Sequence, residues 1–339
     1  MTAPFASMIQ DGSTHQDPAE RFARWVSGGS ADDLPLPGSG ATRQRFRALH
    51  DLGRADLSMA RLAEGHADAA AILAELKAPA PRPGERWGVW AAQPPGVTLR
   101  ARYEGGHWRL DGVKAFCSGA HSCTHALVTA DTEAGRRLFA VATDGAGYAP
   151  IAGTWLAVGM AGSDSPDVRF TGVPGRPVGE TDAYLRRPGF SHGGAGVAAC
   201  WLGGARGVAD TLVEAARRRE PDQLTAAHLG AVDVALHSAM CALVVAADAI
   251  DAAPLDGGER AVVGTARVRA AVADVCSRVL DEVGRALGAG PLCHDREHAQ
   301  RVADLTVYVR QHHAERDLAS LGTLLLSAGG GAEASEWDR

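Results

Sequence analysis

The sequence predicts an α+β multidomain protein: a helical N-terminal region, a central small β-barrel or sandwich, and a C-terminal four-helix bundle. Three observations carry that prediction. The stretch Trp108–Val173 alternates apolar and polar residues around glycine turns, which is the period of antiparallel strands. Long Ala/Leu/Arg-rich segments of helical period flank it on both sides. Between the first helices and the first strand, Lys77–Glu85 (KAPAPRPGE) reads as a Pro-rich linker.

The elements follow in order. Residues 1–16 look loose. A helix is expected over Arg43–Leu76, with an apolar stripe that includes Leu49, Leu52, Leu57, Leu62, Ile72 and Leu73 and breaks near Gly53 and Gly65. Strands are expected at Trp87–Ala92, Val97–Tyr103, Trp108–Val113, His125–Ala130, Leu138–Ala142 and Val168–Phe170, separated by turns such as Glu104-Gly105-Gly106. Helices are expected at Gly194–Arg219, Asp222–Ala252 and Arg260–Leu287, with a fourth or a kinked pair at His294–Leu326; short connections favour an up-and-down bundle. The division is therefore 1–85 helical region, 86–185 β-domain, 186–328 bundle and 329–339 flexible tail.

Composition bounds the function. At 339 residues the chain exceeds one ordinary core. A net charge of −6 gives no basic face for nucleic acid. Reading along the chain, no apolar run reaches the roughly 18–20 residues of a bilayer span, and MTAPFASMIQDGS lacks a signal-peptide pattern. Six scattered cysteines do not form a disulfide framework in a chain of this size, so a reducing cytoplasm is expected.

Several local motifs have ordinary explanations. Gly189-Phe190-Ser191-His192-Gly193 spells G-x-S-x-G, but it follows Arg186-Arg187-Pro188 rather than a strand, so a nucleophile elbow is not expected. Gly194–Ala199 fits a loose dinucleotide fingerprint without a preceding strand and reads as tight helix packing. Cys117, His121, Cys123 and His125 lack zinc-knuckle spacing, and His294 with His298 fits a solvated first helical turn; no metal is expected.

Two β-segments carry a resemblance. WRLDGVKAFCSGA (Trp108–Ala120) contains Phe116-Cys117-Ser118-Gly119-Ala120, and GMAGSDSPDVRFTGV (Gly159–Val173) contains Ser163-Asp164-Ser165. With the helix–β–helix layout, these resemble the acyl-CoA dehydrogenase family of flavoproteins, from about Leu57 to Gly322. The resemblance implies FAD as cofactor, with Phe116 stacking on the isoalloxazine and Ser118 hydrogen-bonding near its reactive nitrogen. It places Gly288 and Gly290, in Leu287-Gly288-Ala289-Gly290, near the flavin phosphates, where glycine permits close backbone approach. Ser163 and His313 are the residues expected at the substrate.

The chain departs from the family in three places. Trp90-Ala91-Ala92-Gln93-Pro94-Pro95-Gly96 replaces Thr-Glu-Pro-Gly, Arg217-Arg218-Arg219 lacks a following Phe, and Glu-Gly-Thr is missing from the last helix. Counting eight residues from Asp304 gives His312 as the base, with Glu315 in reserve. A neutral imidazole, whose unperturbed pKa is about 6.5, is able to take a proton at pH 7.

The function implied is oxidation of an acyl-CoA or acyl-carrier-protein thioester at its α,β bond by a homodimer or homotetramer, with an electron acceptor as partner. One alternative is a flavin-dependent monooxygenase on the same fold, supplied with reduced flavin by a separate reductase. The other is a non-catalytic paralogue acting as a binding or scaffold protein.

Overall fold

The computed structural model describes residues 17–218 and 220–327. The loose start at 1–16 and the flexible tail at 329–339 lie outside those residues. The chain divides into two compact units, and the division cuts through the N-terminal helical region. The first unit runs to Leu36 and resumes over Asp56–Phe190; the second holds Pro37–Ala55 and everything from Ser191. The expected 1–85 block is thus shared between the two.

In the first unit, helix α1 (Pro18–Ser27) starts on Asp17, whose carboxylate accepts the Ala19 N–H, and buries Phe22, Trp25 and Val26. Helix α2 (Thr42–Ala55) belongs to the second unit. Helix α3 (Leu57–Glu75) returns to the first. The single helix expected over Arg43–Leu76 is therefore two, and the break is at Asp56 rather than at a glycine. Asp56 adopts extended backbone and caps α3 by accepting the Met59 N–H at 2.9 Å, which ends one helix and begins the next.

Seven strands follow: β1 (Trp87–Trp90), β2 (Leu99–Glu104), β3 (His107–Lys114), β4 (His125–Thr132), β5 (Gly135–Ala142), β6 (Tyr148–Pro150) and β7 (Val168–Val178). Hydrogen-bonded neighbours run β4-β2-β3-β7-β5, and β5 pairs again with β4, closing a five-stranded barrel. Most pairs are antiparallel as expected, whereas β1 and β2 both pair with β4 in parallel. The three-residue β6 carries no period of its own, and pairing with β7 alone makes it a strand.

The barrel interior is filled by Trp90, Leu110, Val128, Phe139 and Phe170. A second apolar cluster, with Ile72, Leu73, Trp87, Leu127 and Leu138, joins α3 to the barrel. His66 on α3 is buried and accepts the Trp87 N–H through Nδ1 at 3.1 Å. Burial pushes its pKa down to about 4, so it sits in the core as a neutral ring. A short helix, α4 (Ala183–Arg186), closes the unit.

The second unit is helical. It contains α5 (Gly189–Arg218, apart from its first two residues), α6 (Gln223–Ala252), α7 (Glu259–Leu287), α8 (Gly290–His294), α9 (Arg296–Tyr308) and α10 (Glu315–Ser327). Helix α2 crosses α5 through facing glycines. A Cβ on Gly53 would overlap the carbonyl oxygen of Cys200, and one on Gly203 that of His50. Gly53 thus lets two helices touch rather than ending one.

Helix α6 is long and apolar enough to cross a membrane by length and composition, which corrects the reading that no such run exists. Its face formed by Val232, Leu236, Leu243 and Ile250 is buried, while Val234 and Val245 stay exposed. The stretch expected as one helix or a kinked pair over His294–Leu326 is three segments, interrupted by a 3₁₀ turn at Val309–Gln311.

Candidate functional site

Within the first unit, the expected cofactor residues sit on the turn that leaves β3. Phe116 is in the left-handed region (φ 55) and its ring is 53% exposed. Ser118 follows, 8% exposed. Cys117 between them turns inward and is fully buried, its thiol donating to the Lys114 carbonyl at 3.3 Å. Burial raises that thiol's pKa strongly, so it is inert at neutral pH.

Two aromatic residues of the barrel hold this turn from inside. The Trp90 indole donates to the Ser118 carbonyl at 3.0 Å, and the Tyr148 hydroxyl donates to the Ala120 carbonyl at 2.7 Å. Their rings stack at 6.1 Å. Sequence reasoning noted Trp90 only as a departure from the family and passed over Tyr148. A Trp closing a four-residue strand was the available signal.

A second segment braces the turn from the side. Met160 and Asp164, at the ends of a 3₁₀ turn over Ala161–Ser163, are both left-handed (φ 61 and 43). The Gly119 N–H donates to the carbonyls of Ser163 (2.9 Å) and Asp164 (2.8 Å). The Asp164 carboxylate accepts the His121 backbone N–H at 2.8 Å and lies 2.9 Å from His121 Nδ1.

The Ser-x-Ser pattern lines up hydroxyls. Ser163 Oγ is 2.9 Å from Ser165 Oγ, which donates to Ser118 Oγ at 2.9 Å. The structure thus brings Ser163 and Ser118 together through Ser165, a residue sequence reasoning did not single out. Ser163, expected at the substrate, is 1% exposed with its hydroxyl against the Met160 carbonyl at 2.8 Å. It stands behind Ser118 rather than on an open face.

The remaining candidates belong to the second unit. His312 is not on a helix; it follows the 3₁₀ turn in extended backbone (φ −84, ψ 120). Counting along an unbroken helix therefore does not describe its place. Its side chain is nearly buried, and Nε2 lies 3.9 Å from Asp317. Burial lowers its pKa, with Asp317 opposing, so the imidazole is neutral at pH 7.

His313 is half exposed and pairs with Asp317 through Nδ1 at 3.3 Å, while its N–H donates to the same carboxylate at 3.0 Å. Ala314 is left-handed (φ 48), and the exposed Glu315 begins α10.

Gly288 ends α7 in the left-handed region (φ 63), and Gly290 begins α8. Gly290 lines a cleft of about 290 Å³ with Thr211, Glu214, Arg218, His294 and Asp295. His298, expected on a solvated turn, is buried with Nδ1 2.9 Å from Thr211 Oγ1.

No family model matches the chain, and no curated protein matches it by sequence. Solved structures do. The chain is similar to KijD3 in complex with FMN and dTDP-3-amino-2,3,6-trideoxy-4-keto-3-methyl-D-glucose, with a TM-score of 0.73 and 18% identity over 100% of this chain and 98% of that one. It is similar to a nitrososynthase from Micromonospora carbonacea var. africana, with a TM-score of 0.75 and 21% identity over 94% and 92%. It is also similar to TdsC, a dibenzothiophene monooxygenase from Paenibacillus sp. A11-2 bound to FMN and indole, with a TM-score of 0.74 and 18% identity over 96% and 97%. These likenesses establish the fold: the chain is built on the acyl-CoA dehydrogenase-like scaffold.

Proposed function

We propose that this protein is a flavin-dependent oxidoreductase that binds FMN and transfers oxygen to a small organic substrate. The observation that carries the reading is the pair Phe116 and Ser118. An exposed aromatic ring stands beside a hydroxyl whose own proton has no acceptor among the described residues. That pairing suits a planar heteroaromatic ring, with Phe116 against one face and Ser118 at its edge. FMN named with KijD3 and with TdsC on the same fold supports the choice of flavin.

FMN is preferred to FAD because FMN is the flavin named with KijD3 and with TdsC on the same fold.

When bound, the flavin supplies two-electron redox chemistry and reactivity toward oxygen. The chain's own residues do the rest. Trp90 and Tyr148 fix the turn, Phe116 excludes water from the ring face, and Ser118 orients the ring edge. In the second unit, His312 is a neutral proton acceptor. Oxidation of an acyl thioester needs a base held against the α-carbon; the reserve carboxylate, Glu315, is exposed, which leaves that task to His312. Oxygen transfer makes no such demand.

A separate reductase is the electron-donating partner we assign. A second copy of the chain is the expected cover for the exposed Val234 and Val245 of α6.

Titrating the purified protein with FMN and FAD, then measuring oxygen uptake with a flavin reductase and NADH, tests the reading. FMN binding with substrate-dependent oxygen uptake supports it. Anaerobic bleaching of a tightly bound flavin by an acyl-CoA would instead establish a dehydrogenase. A protein that binds no flavin would sink both.

A further inference from the structure

The outward face of β2, β3 and β7 carries charge that no step above uses. Strand alternation points Leu99, Ala101, Leu110, Val168, Phe170 and Val173 into the barrel core, so the residues between them face out. Those outward positions hold Arg100 and Arg102 on β2, Arg109 on β3, and Arg169 and Arg176 on β7. Two carboxylates, Glu104 and Asp111, share the face. The chain as a whole has a net charge of −6, so five arginines against two acids reverse its sign locally.

These arginines are not neutralised from within. In the helical unit, exposed arginines are paired with carboxylates, as Arg43 is with Asp248 and Arg285 with Asp281. None of the five on the barrel forms an ion pair among the described residues. Arg102 sits directly opposite Arg109 in the β2–β3 register, where like charges repel. Asp111 stands opposite Arg100, but its Oδ1 accepts the Gly172 N–H at 2.8 Å. Arg109 donates to the Gly172 carbonyl at 3.1 Å, which holds its side chain along the sheet. Arg100, Arg102, Arg169 and Arg176 are exposed.

We propose that this face docks an acidic protein, a partner whose own surface presents clustered Asp and Glu side chains. Charge complementarity carries the assignment. A guanidinium grips carboxylate oxygens in pairs, and such pairing relieves the repulsion between Arg102 and Arg109. Size favours a protein patch over a nucleic acid. Three strands about 4.8 Å apart give a face roughly 10 Å wide. A phosphate backbone running beyond it would meet Glu104 at the edge and the net negative charge of the rest of the chain.

The test is fluorescence anisotropy of the full chain with a labelled oligoglutamate peptide and with a DNA duplex of equal charge. Binding to phosphatidylserine vesicles is read by co-sedimentation. Oligoglutamate should bind at about 50 mM salt and weaken at about 300 mM, because exposed charges are screened. Arg102→Glu with Arg176→Glu should weaken it about ten-fold. Arg102→Gln with Arg176→Gln should give a smaller loss, and it keeps the test decisive if charge reversal perturbs the fold. Arg260→Glu with Arg296→Glu, in the helical unit, makes the same change in net charge and should weaken it less than about two-fold.

Equal loss in the two charge-reversed pairs would reduce the effect to net charge and overturn the proposal. Tighter binding of the duplex or the vesicles than of oligoglutamate would give the face to phosphate and overturn it too. So would no binding of the peptide at low salt. Docking and flavin binding are separate outcomes, because none of these probes contains a flavin.

Discussion

The turn at Phe116–Cys123 and the helix break at Val309–Ala314 both carry polar groups suited to chemistry, and they are held in contrasting ways. The turn is tied to barrel residues from two directions. Trp90 and Tyr148 grip its carbonyls from within, while Ser163 and Asp164 accept the Gly119 N–H from the side. At the break, Asp317 serves both His312 and His313, Arg269 of α7 donates to the Gln311 carbonyl at 3.4 Å, and the left-handed Ala314 resets the chain direction. Groups anchored on strands are preorganised, whereas groups on an interrupted helix keep room to adjust. On the proposed flavin reading, holding a cofactor suits the turn, whose groups are fixed by the barrel.

Breaking the core beneath each region should give the largest effects. Trp90→Ala removes a fully buried indole and its bond to the Ser118 carbonyl, with an expected cost of about 3–5 kcal/mol in urea unfolding and loss of FMN binding. Gly203→Ala drives a methyl group into the backbone of α2 and should cost about 3 kcal/mol, again read by urea unfolding. If FMN binding survives as long as this variant is folded, cofactor binding is a property of the barrel.

Acid should act on the barrel unit through His66. Its folded pKa of about 4 lies below the unfolded value near 6.5, so the unfolded chain binds more protons in that interval. Stability is complete above about pH 6.5, falls by about 3 kcal/mol as the pH drops to 4, and loses nothing further to this group below that. His66→Asn should flatten that part of the pH–stability curve, and a curve unchanged from wild type would contradict the assignment.

Smaller effects separate the two regions more finely. Ser118→Ala should raise the Kd for oxidised FMN about five-fold with little change in Tm, since one hydrogen bond is lost and no cavity is made. Asp317→Ala should leave FMN binding untouched and change stability by no more than about 0.5 kcal/mol, because the carboxylate is partly exposed. Its signature is electrostatic. Removing the charge that holds His312 up should move the His312 titration to still lower pH, measurable by NMR.

Much of the barrel was legible in the sequence because its strands announce themselves. Leu99–Glu104 and His125–Thr132 alternate or run apolar between turn residues, and the first five expected strands match the observed ones within a few positions, whereas β7 runs eight residues past its expected end to Val178 and β6 was not expected. The bundle helices α6 and α7 were equally plain from period and length. Asp56 was not read as a break, because a capping side chain looks like any other polar residue until its bond to Met59 is seen. The site was legible in part. Phe116 and Ser118 came from a motif, whereas Trp90, Tyr148 and Ser165 became visible only through contacts across the barrel.

By itself the sequence determined what repeats over short distances: the strand period, the helix period, the glycine turns and the Phe-Cys-Ser and Ser-Asp-Ser patterns. Tertiary structure decided what depends on partners far along the chain. It sent α2 to one unit and α3 to the other, used Gly53 as a crossing point, interrupted the last helix before His312, and turned Ser163 from an expected substrate contact into the buried end of a hydroxyl row. The physical reason is that periodicity is written in neighbouring residues. The direction of a hydrogen bond or the tightness of a helix crossing is fixed only when distant segments meet.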